Sequence, residues 1–364
     1  MVVDLSSARR AALVALLEEE ELDGLIVSHV PNVRYLTGFS GSAGVVVVLP
    51  QETIFLSDFR YRQQAELEVG QAARIEIVPS DIWTRAREVV EQYSGIRRVG
   101  FEGHIVSVRQ AADFGPDEGG VSLEVARPLV EQLRVSKDST ELAAIKEAAR
   151  LAIEALDVTL EQVRAGQREL DVAAMLEREL RVRGSEWHPF STIVASGPRS
   201  ALPHAGTSER EIDVGDLLLL DFGAQVDGYC ADITRTVVVG READQRQKTV
   251  YDLVRDAHSR AVTNVRAGMT GREADWLARS MIEERGFGEA FGHSLGHGIG
   301  LEVHEDPRVS KANEAALPLG AAITIEPGLY FPGWGGVRIE DDVFLGAEGA
   351  ELLSGGSTEL LELI

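Results

Sequence analysis

Short apolar runs alternate with amphipathic stretches through the first 130 residues. Apolar positions recur at helical spacing over residues 7–21, and the runs LDGLIVS, AGVVVVLP and TIFLSD then read as strands. A helix over RYRQQAELEV, a strand over ARIEIVP, a helix over DIWTRAREVVEQY and a short strand at RRVGFEG complete the interleaving, which predicts a compact α/β domain. The pattern loosens through DFGPDEGG and then changes. Asp138 and Glu141 stand in capping-box spacing and predict a long helix through ELAAIKEAARLAIEALDVTLEQV, so the domain boundary is expected between residues 123 and 135, dividing the chain into 1–130 and 131–364. Further helices are predicted near 169–183, 245–266 and 271–285. The strands between them are too long and hairpin-like for a parallel doubly wound sheet, which predicts an α+β second domain.

Composition narrows the function. With 59 acidic against 36 basic residues the formal charge is −23, and no Lys/Arg block offsets it, which argues against nucleic acid and anionic membranes as partners. The opening segment VVDLSSARRAALVALLEEEELDG reads as an amphipathic helix rather than a signal sequence, and apolar runs such as 45–50 fall far short of the ~20 residues of a membrane span. A cytoplasmic protein is expected. Cys230 is the single cysteine, which excludes an intrachain disulfide; its place in a predicted strand makes it a small core residue. Neither low-complexity sequence nor an internal repeat is evident.

The candidate chemistry lies in the second half. In LLLLDFGAQVDGYCADITRTVVV a turn separates Asp221 from Asp232. A two-residue turn at Val226 and Asp227 sets the two carboxylates directly opposite, and a turn at Asp227 and Gly228 sets them diagonally; both registers keep them on one face. The four leucines before Asp221 read as a strand buried on both faces, so a bare carboxylate ending it carries a desolvation cost that a cation would relieve. In ITIEPGLY, Glu326 ends a strand held there by Pro327. In GGVRIEDDV, alternation puts Val337 and Ile339 on an apolar side and Arg338 and Glu340 on a side that meets a cavity or water, with Asp341 and Asp342 expected to be solvated neighbours.

Three of the eight histidines, His293, His297 and His304, fall within GHSLGHGIGLEVHE, whose glycines make a helix improbable and close backbone approach the expected reason for them. His204, in SALPHAG, stands in a loop. Asp221, Asp232, Glu326, Glu340 and one His form a hard, oxygen-rich donor set that suits manganese or a similar divalent ion better than a thiolate-bound structural zinc. Four carboxylates match two divalent ions, and a bridging hydroxide would leave −1, which Arg338 or a His could offset. Such a centre predicts hydrolysis.

The ordered series DFGAQVDGYCADITRT, GHGIGLEVHE, ITIEPGLY and GVRIEDDV resembles the pita-bread metallopeptidases that cleave Xaa-Pro bonds, aminopeptidase P and prolidase, over residues 135–364. The resemblance implies a pseudo-symmetric catalytic domain with a curved antiparallel sheet backed by helices and two divalent metal ions per subunit, manganese first, with cobalt, zinc and iron also compatible. It further implies that Asp221 binds one metal and His297 the other, that Asp232 and Glu340 bridge them, and that Glu326 is a ligand that also handles a proton. His204, His293 and His304 would bind substrate and stabilise the transition state, Arg338 would orient carboxylates or meet substrate, and Tyr330 and Tyr229 would line the cleft. Through VRYLTGFSGSAG and SDFRYRQQAE the first 130 residues resemble the creatinase-type N-terminal domain, which implies a role at the substrate's amino end and in a homodimer. Asp58, Arg60 and Tyr61 are candidates there for contacts with substrate or partner, or simply for capping. The resemblance favours an Xaa-Pro aminopeptidase acting on peptides with Pro at the second position, with an Xaa-Pro dipeptidase as the alternative and a non-catalytic peptide-binding relative as a more remote one.

Overall fold

The computed structural model describes residues 5–113 and 120–364, which fall into two compact units, Met1–Arg134 and Val135–Ile364. Most of the DFGPDEGG segment lies outside the described residues. In the first unit, β1 (Gly24–Val27), β2 (Val45–Val48), β3 (Thr53–Ser57), β4 (Arg74–Ile77), β5 (Arg98–Glu102) and β6 (Ser122–Ala126) form one sheet in the order β4-β3-β2-β1-β5-β6. The pairs β1–β2 and β2–β3 are antiparallel and the rest parallel. Helices α1 (Leu5–Glu19), α2 (Val30–Thr37), α3 (Arg62–Glu68), α4 (Ile82–Glu91), α5 (Val108–Asp113) and α6 (Leu129–Arg134) accompany it.

The apolar runs predicted as strands are β1 to β3, and every residue of the three is buried. Two elements escape the hydrophobic pattern. Helix α2 is only eight residues long and depends on its ends, Pro31 in its first turn and Gly38 at φ 76° closing it. Strand β6 is a half-exposed edge, so it lacks the apolar run of its neighbours. Asp58 caps a short 3₁₀ turn at Phe59–Tyr61, accepting from the Arg60 N–H at 2.9 Å and pairing with the Arg60 guanidinium, while the Tyr61 and Ser42 hydroxyls lie 2.8 Å apart. These contacts make Asp58 the cap of the turn and Arg60 its partner.

The second unit has two halves, each a helix pair against a sheet. Helices α7 (Ser139–Leu160) and α8 (Glu169–Arg183) pack their apolar faces onto β7 (Ile193–Ser196), β8 (Leu217–Phe222) and β11 (Ile233–Val239), the last reached through the small strands β9 (Gln225–Val226) and β10 (Tyr229–Cys230). Helices α9 (Gln245–Asn264) and α10 (Gly271–Glu284) cover the sheet of β12 (Gly296–Gly298), β13 (Glu305–Val309), β14 (Ala322–Ile325), β17 (Asp341–Gly346) and β18 (Gly349–Leu352). Strands β15 (Gly328–Phe331) and β16 (Gly335–Arg338) form a hairpin between β14 and β17, and β19 (Glu362–Leu363) adds to β11. The predicted Asp138–Glu141 capping box starts α7, and Asp244–Gln247 and Thr270–Glu273 start α9 and α10 the same way.

The two registers left open by sequence resolve into one. Tyr229 pairs with Val226, so the turn is at Asp227 and Gly228, both with positive φ (48° and 79°), and Asp221 pairs with Thr234 rather than with Asp232. Asp232 is therefore diagonal to Asp221. Two glycines of GHSLGHGIG serve close backbone approach, while Gly292 has open space beside it: a Cβ on Gly296 would lie 1.9 Å from the Thr324 carbonyl oxygen, and one on Gly298 2.1 Å from that of Asp306. Among the described residues no helix is long and apolar enough to cross a membrane.

Candidate metal centre

Strand alternation gathers the acidic residues. Asp221 on β8 faces Thr234 on β11, Thr234 in turn bridges to Glu340, and Asp232 lies two residues before Thr234, just ahead of β11. On the other sheet Thr324 pairs with Asp342, and Glu326, two positions beyond Thr324, leaves the end of β14 with its N–H donating to the Leu295 carbonyl at 2.8 Å. The His297 N–H donates to Thr324 Oγ1 at 3.2 Å, which seats the imidazole beside Glu326. The nine residues expected from sequence to be ligands or catalytic groups, Asp221, Asp232, Glu326, Glu340, His204, His293, His297, His304 and Arg338, line one cavity of about 400 Å³.

The contacts suit cations. His297 Nε2 lies 3.5 Å from Glu326 Oε1 and 3.8 Å from Asp232 Oδ2, and one donor atom each from Asp232, His297 and Glu340 lie within 4.8 Å of one another. Its Nδ1 is 3.0 Å from the Gly298 carbonyl, which can only accept, so Nδ1 carries the proton and Nε2 turns a lone pair to the carboxylates, the tautomer that ligates a metal. Oδ1 of Asp221 and Oδ1 of Asp232 are buried and accept no hydrogen bond. Arg338 is the buried counter-charge: its guanidinium pairs with Asp221 Oδ2, its Nε donates to Thr234 Oγ1 at 3.0 Å, and its Nη1 donates to the Tyr330 hydroxyl at 2.9 Å. The Thr234 hydroxyl in turn donates a hydrogen bond to Glu340 Oε2 at 2.6 Å.

The electrostatics show one guanidinium to be too little for four carboxylates. Burial, reinforced by Glu340 and Asp221, pushes the Asp232 carboxyl well above its usual range, and burial with Glu340 does the same to Glu326. Glu340 rises to about 7 through burial and the Asp221 charge. Burial raises Asp221 despite its Arg338 partner. His297 and His293 are both lowered to about 4 by burial, so both are neutral near pH 7. Neutral imidazole beside crowded, under-compensated carboxylates suits a divalent ion, and the orphaned Oδ1 atoms are lone pairs such an ion would take.

Several placements differ from expectation. Asp341 and Asp342 are not solvated; both are fully buried. Asp341 Oδ1 accepts from Arg235 Nη2 at 2.8 Å and from Ser354 Oγ at 2.6 Å, with His258 Nε2 3.1 Å from its other oxygen, and Asp342 Oδ2 accepts the Asp232 N–H at 3.1 Å. Alternation carried on from Glu340 would have placed Asp342 on the site face; only the β11–β17 junction, closed by Arg235, buries Asp341. Tyr229 does not line the cavity and donates to Glu141 on α7 at 2.9 Å. Tyr330 stands behind the wall, its hydroxyl 3.0 Å from His293 Nε2. His304 packs on His297 with ring centroids 4.3 Å apart. Sequence reading missed Thr234, which links Arg338 to Glu340, and Arg308, a further cation on the cavity wall.

A family model for metallopeptidase family M24 matches residues 143–347, and one for the Creatinase/Prolidase N-terminal domain matches residues 9–136. The Xaa-Pro dipeptidase of Pyrococcus horikoshii is 35% identical, over 99% of this chain and 100% of its own length. The structure of an Xaa-Pro dipeptidase from Bacillus anthracis superposes with a TM-score of 0.93 at 40% identity, covering 98% of this chain and 99% of that one. That of an X-Pro aminopeptidase from Thermotoga maritima does so with a TM-score of 0.89 at 37% identity, covering 97% and 99%.

Proposed function

Since this chain belongs to metallopeptidase family M24, we propose that it hydrolyses Xaa-Pro dipeptides at a centre of two divalent ions held by Asp221, Asp232, His297, Glu326 and Glu340. The observation that carries the metal assignment is the convergence of Asp221, Asp232, Glu340 and the half-buried Glu326 with the lone pair of His297 Nε2 on one cavity, where Arg338 is the guanidinium paired with them. When bound, the ions supply Lewis acidity toward the peptide carbonyl and lower the pKa of water. Glu326, on the cavity wall 3.5 Å from His297 Nε2, accepts a proton at its carboxylate and returns it to the leaving proline nitrogen. Arg338 and Thr234 hold Asp221 and Glu340 in place. His293, fixed between the Ser294 carbonyl and the Tyr330 hydroxyl, forms a rigid wall, and His204 and His304 offer ring nitrogens to the substrate's carbonyl oxygen.

A proline ring lacks the N–H on which general peptidases rely, and the cavity's aromatic and proline lining, Phe190 and Pro203, suits it. Arg308 favours dipeptides over longer chains, because a cation on the wall is what a free carboxylate one residue beyond the scissile bond requires. The Pyrococcus and Bacillus relatives bear the name Xaa-Pro dipeptidase, which favours the same reading over the aminopeptidase one. The Thermotoga relative keeps the aminopeptidase as a second reading. The test measures proline release from an Xaa-Pro dipeptide beside Xaa release from the matching Xaa-Pro-Yaa tripeptide, with manganese restored to stripped protein. Dipeptide turnover is expected to dominate; preferential tripeptide cleavage would establish the aminopeptidase instead.

A further inference from the structure

The carboxyl ends of β1 and β5, neighbouring parallel strands in the first unit, open onto a second cluster of metal-ligating groups. His29 follows β1 as the residue preceding α2, His104 lies in the turn after β5, and Glu131 lies in α6. Their ligand atoms lie within 4.8 Å of one another. Open α/β sheets characteristically place ligands outside the carboxyl ends of adjacent parallel strands.

The geometry points to a divalent transition-metal site formed by His29, His104 and Glu131, of the zinc, copper, nickel or cobalt class, separate from the peptidase centre. Glu131 Oε1 is the common vertex, 2.9 Å from His104 Nε2 and 3.6 Å from His29 Nδ1. Ligand bonds of about 2.0–2.1 Å at tetrahedral angles put donor atoms about 3.3 Å apart, between those two separations. The imidazole rings stand nearly perpendicular, at 85° with centroids 5.8 Å apart, so they approach the vertex from different directions. Two imidazoles and one carboxylate select borderline transition metals over magnesium or calcium. Three protein ligands leave a fourth position open, and His104 is exposed enough for an ion to enter.

The site is built as well as assembled. Asn32, fully buried, donates from Nδ2 to Glu131 Oε1 and to Glu102 Oε1, both at 2.6 Å, while its Oδ1 accepts from Arg134 Nη1 at 2.6 Å. Glu102 also accepts the backbone N–H groups of Ser28 and His29, which fixes the start of α2. A network behind the ligands that fixes their orientation is the usual support of a metal site. Glu131 Oε2 is buried and accepts no hydrogen bond, leaving a second lone pair for the ion.

The test uses the full chain with Asp232→Asn and His297→Ala, so that only this cluster presents a complete ligand set. Zinc bound after equilibrium dialysis is counted by mass spectrometry, and copper is added as an electron paramagnetic resonance probe. One zinc per chain is expected, with copper showing hyperfine coupling to two nitrogens. Adding His104→Ala should weaken zinc binding by about 100-fold and leave one coupled nitrogen, and Glu131→Gln should weaken it comparably. Circular dichroism verifies that each variant is folded. Zinc binding of equal affinity with and without His104, or no zinc bound by the folded background protein, would overturn the site. Neither result depends on peptidase activity, so the proposed function stands or falls separately.

Discussion

Stripping the metal should leave the carboxylate centre in conflict with itself, and Glu340→Gln measures how much. Glu340 goes from the ordinary 4.5 to about 7 in the folded metal-free chain. At 1.36 kcal/mol per unit, keeping it ionised costs on the order of 3 kcal/mol of stability above pH 8. Because the folded pKa is raised, the stability it contributes is complete below 4.5 and is lost as pH rises through about 7. His293 and His297 run the other way: lowered to about 4, they contribute stability that is present above 6.5 and lost as pH falls toward 4. The wild-type curve therefore mixes opposing slopes, and only the difference between wild type and Glu340→Gln isolates the carboxylate. Glutamine keeps the acceptor for Thr234 Oγ1 and removes the charge. In chelator-treated protein at pH 8 the variant should be the more stable, by about 6–12 °C in Tm for a unit of this size. The gap should close toward pH 5 and reverse sign once manganese is restored. Differential scanning calorimetry at several pH values reads all three. A stripped variant no more stable than wild type at pH 8, or a gap independent of pH, would refute the reading that these carboxylates lack compensating charge.

Glu326→Gln should leave the chain folded while kcat at saturating metal falls about 10²- to 10⁴-fold, as expected for a lost proton carrier; steady-state turnover checks it, and a wild-type rate removes Glu326 from that role. Arg308→Ala should raise KM for an Xaa-Pro dipeptide far more than for an Xaa-Pro-Yaa tripeptide, whose carboxylate lies one residue further on; equal effects on both would remove Arg308 from carboxylate recognition. Asp341→Asn leaves buried Arg235 short of its counter-charge and should destabilise by about 3–5 kcal/mol in urea unfolding. Gly296→Ala drives a methyl against the Thr324 carbonyl and should cost about 1–3 kcal/mol, with weakened metal affinity because His297 moves with its backbone.

Local rules made much of this protein legible in its sequence. Capping pairs at Asp138–Glu141, the helical periods of α7 to α10, and the apolar runs of β1 to β3 and β8 act over a few neighbours and so survive in one dimension. Alternation also put Arg338 and Glu340 on one face, and glycine density in GHSLGHGIG announced the backbone approach that Gly296 makes. Residue types alone also suggested a divalent-metal donor set, because four carboxylates and a histidine in ordered motifs have few other uses.

Tertiary structure decided what depends on which strands meet. Whether Asp221 opposes Asp232 or Thr234 hung on the conformation of two turn residues, Asp227 and Gly228, and either register was compatible with the same apolar pattern. Asp341 and Asp342 read as surface because acidic pairs usually are; the packing around β17 buried both, and Arg235 supplied the charge that makes burial of Asp341 tolerable. His29, His104 and Glu131 are separated by up to 102 positions and share no motif, so only the parallel pairing of β1 with β5 and the placement of α6 bring them together. Burial and convergence are properties of the packed chain, and a sequence states the donors without stating their distances.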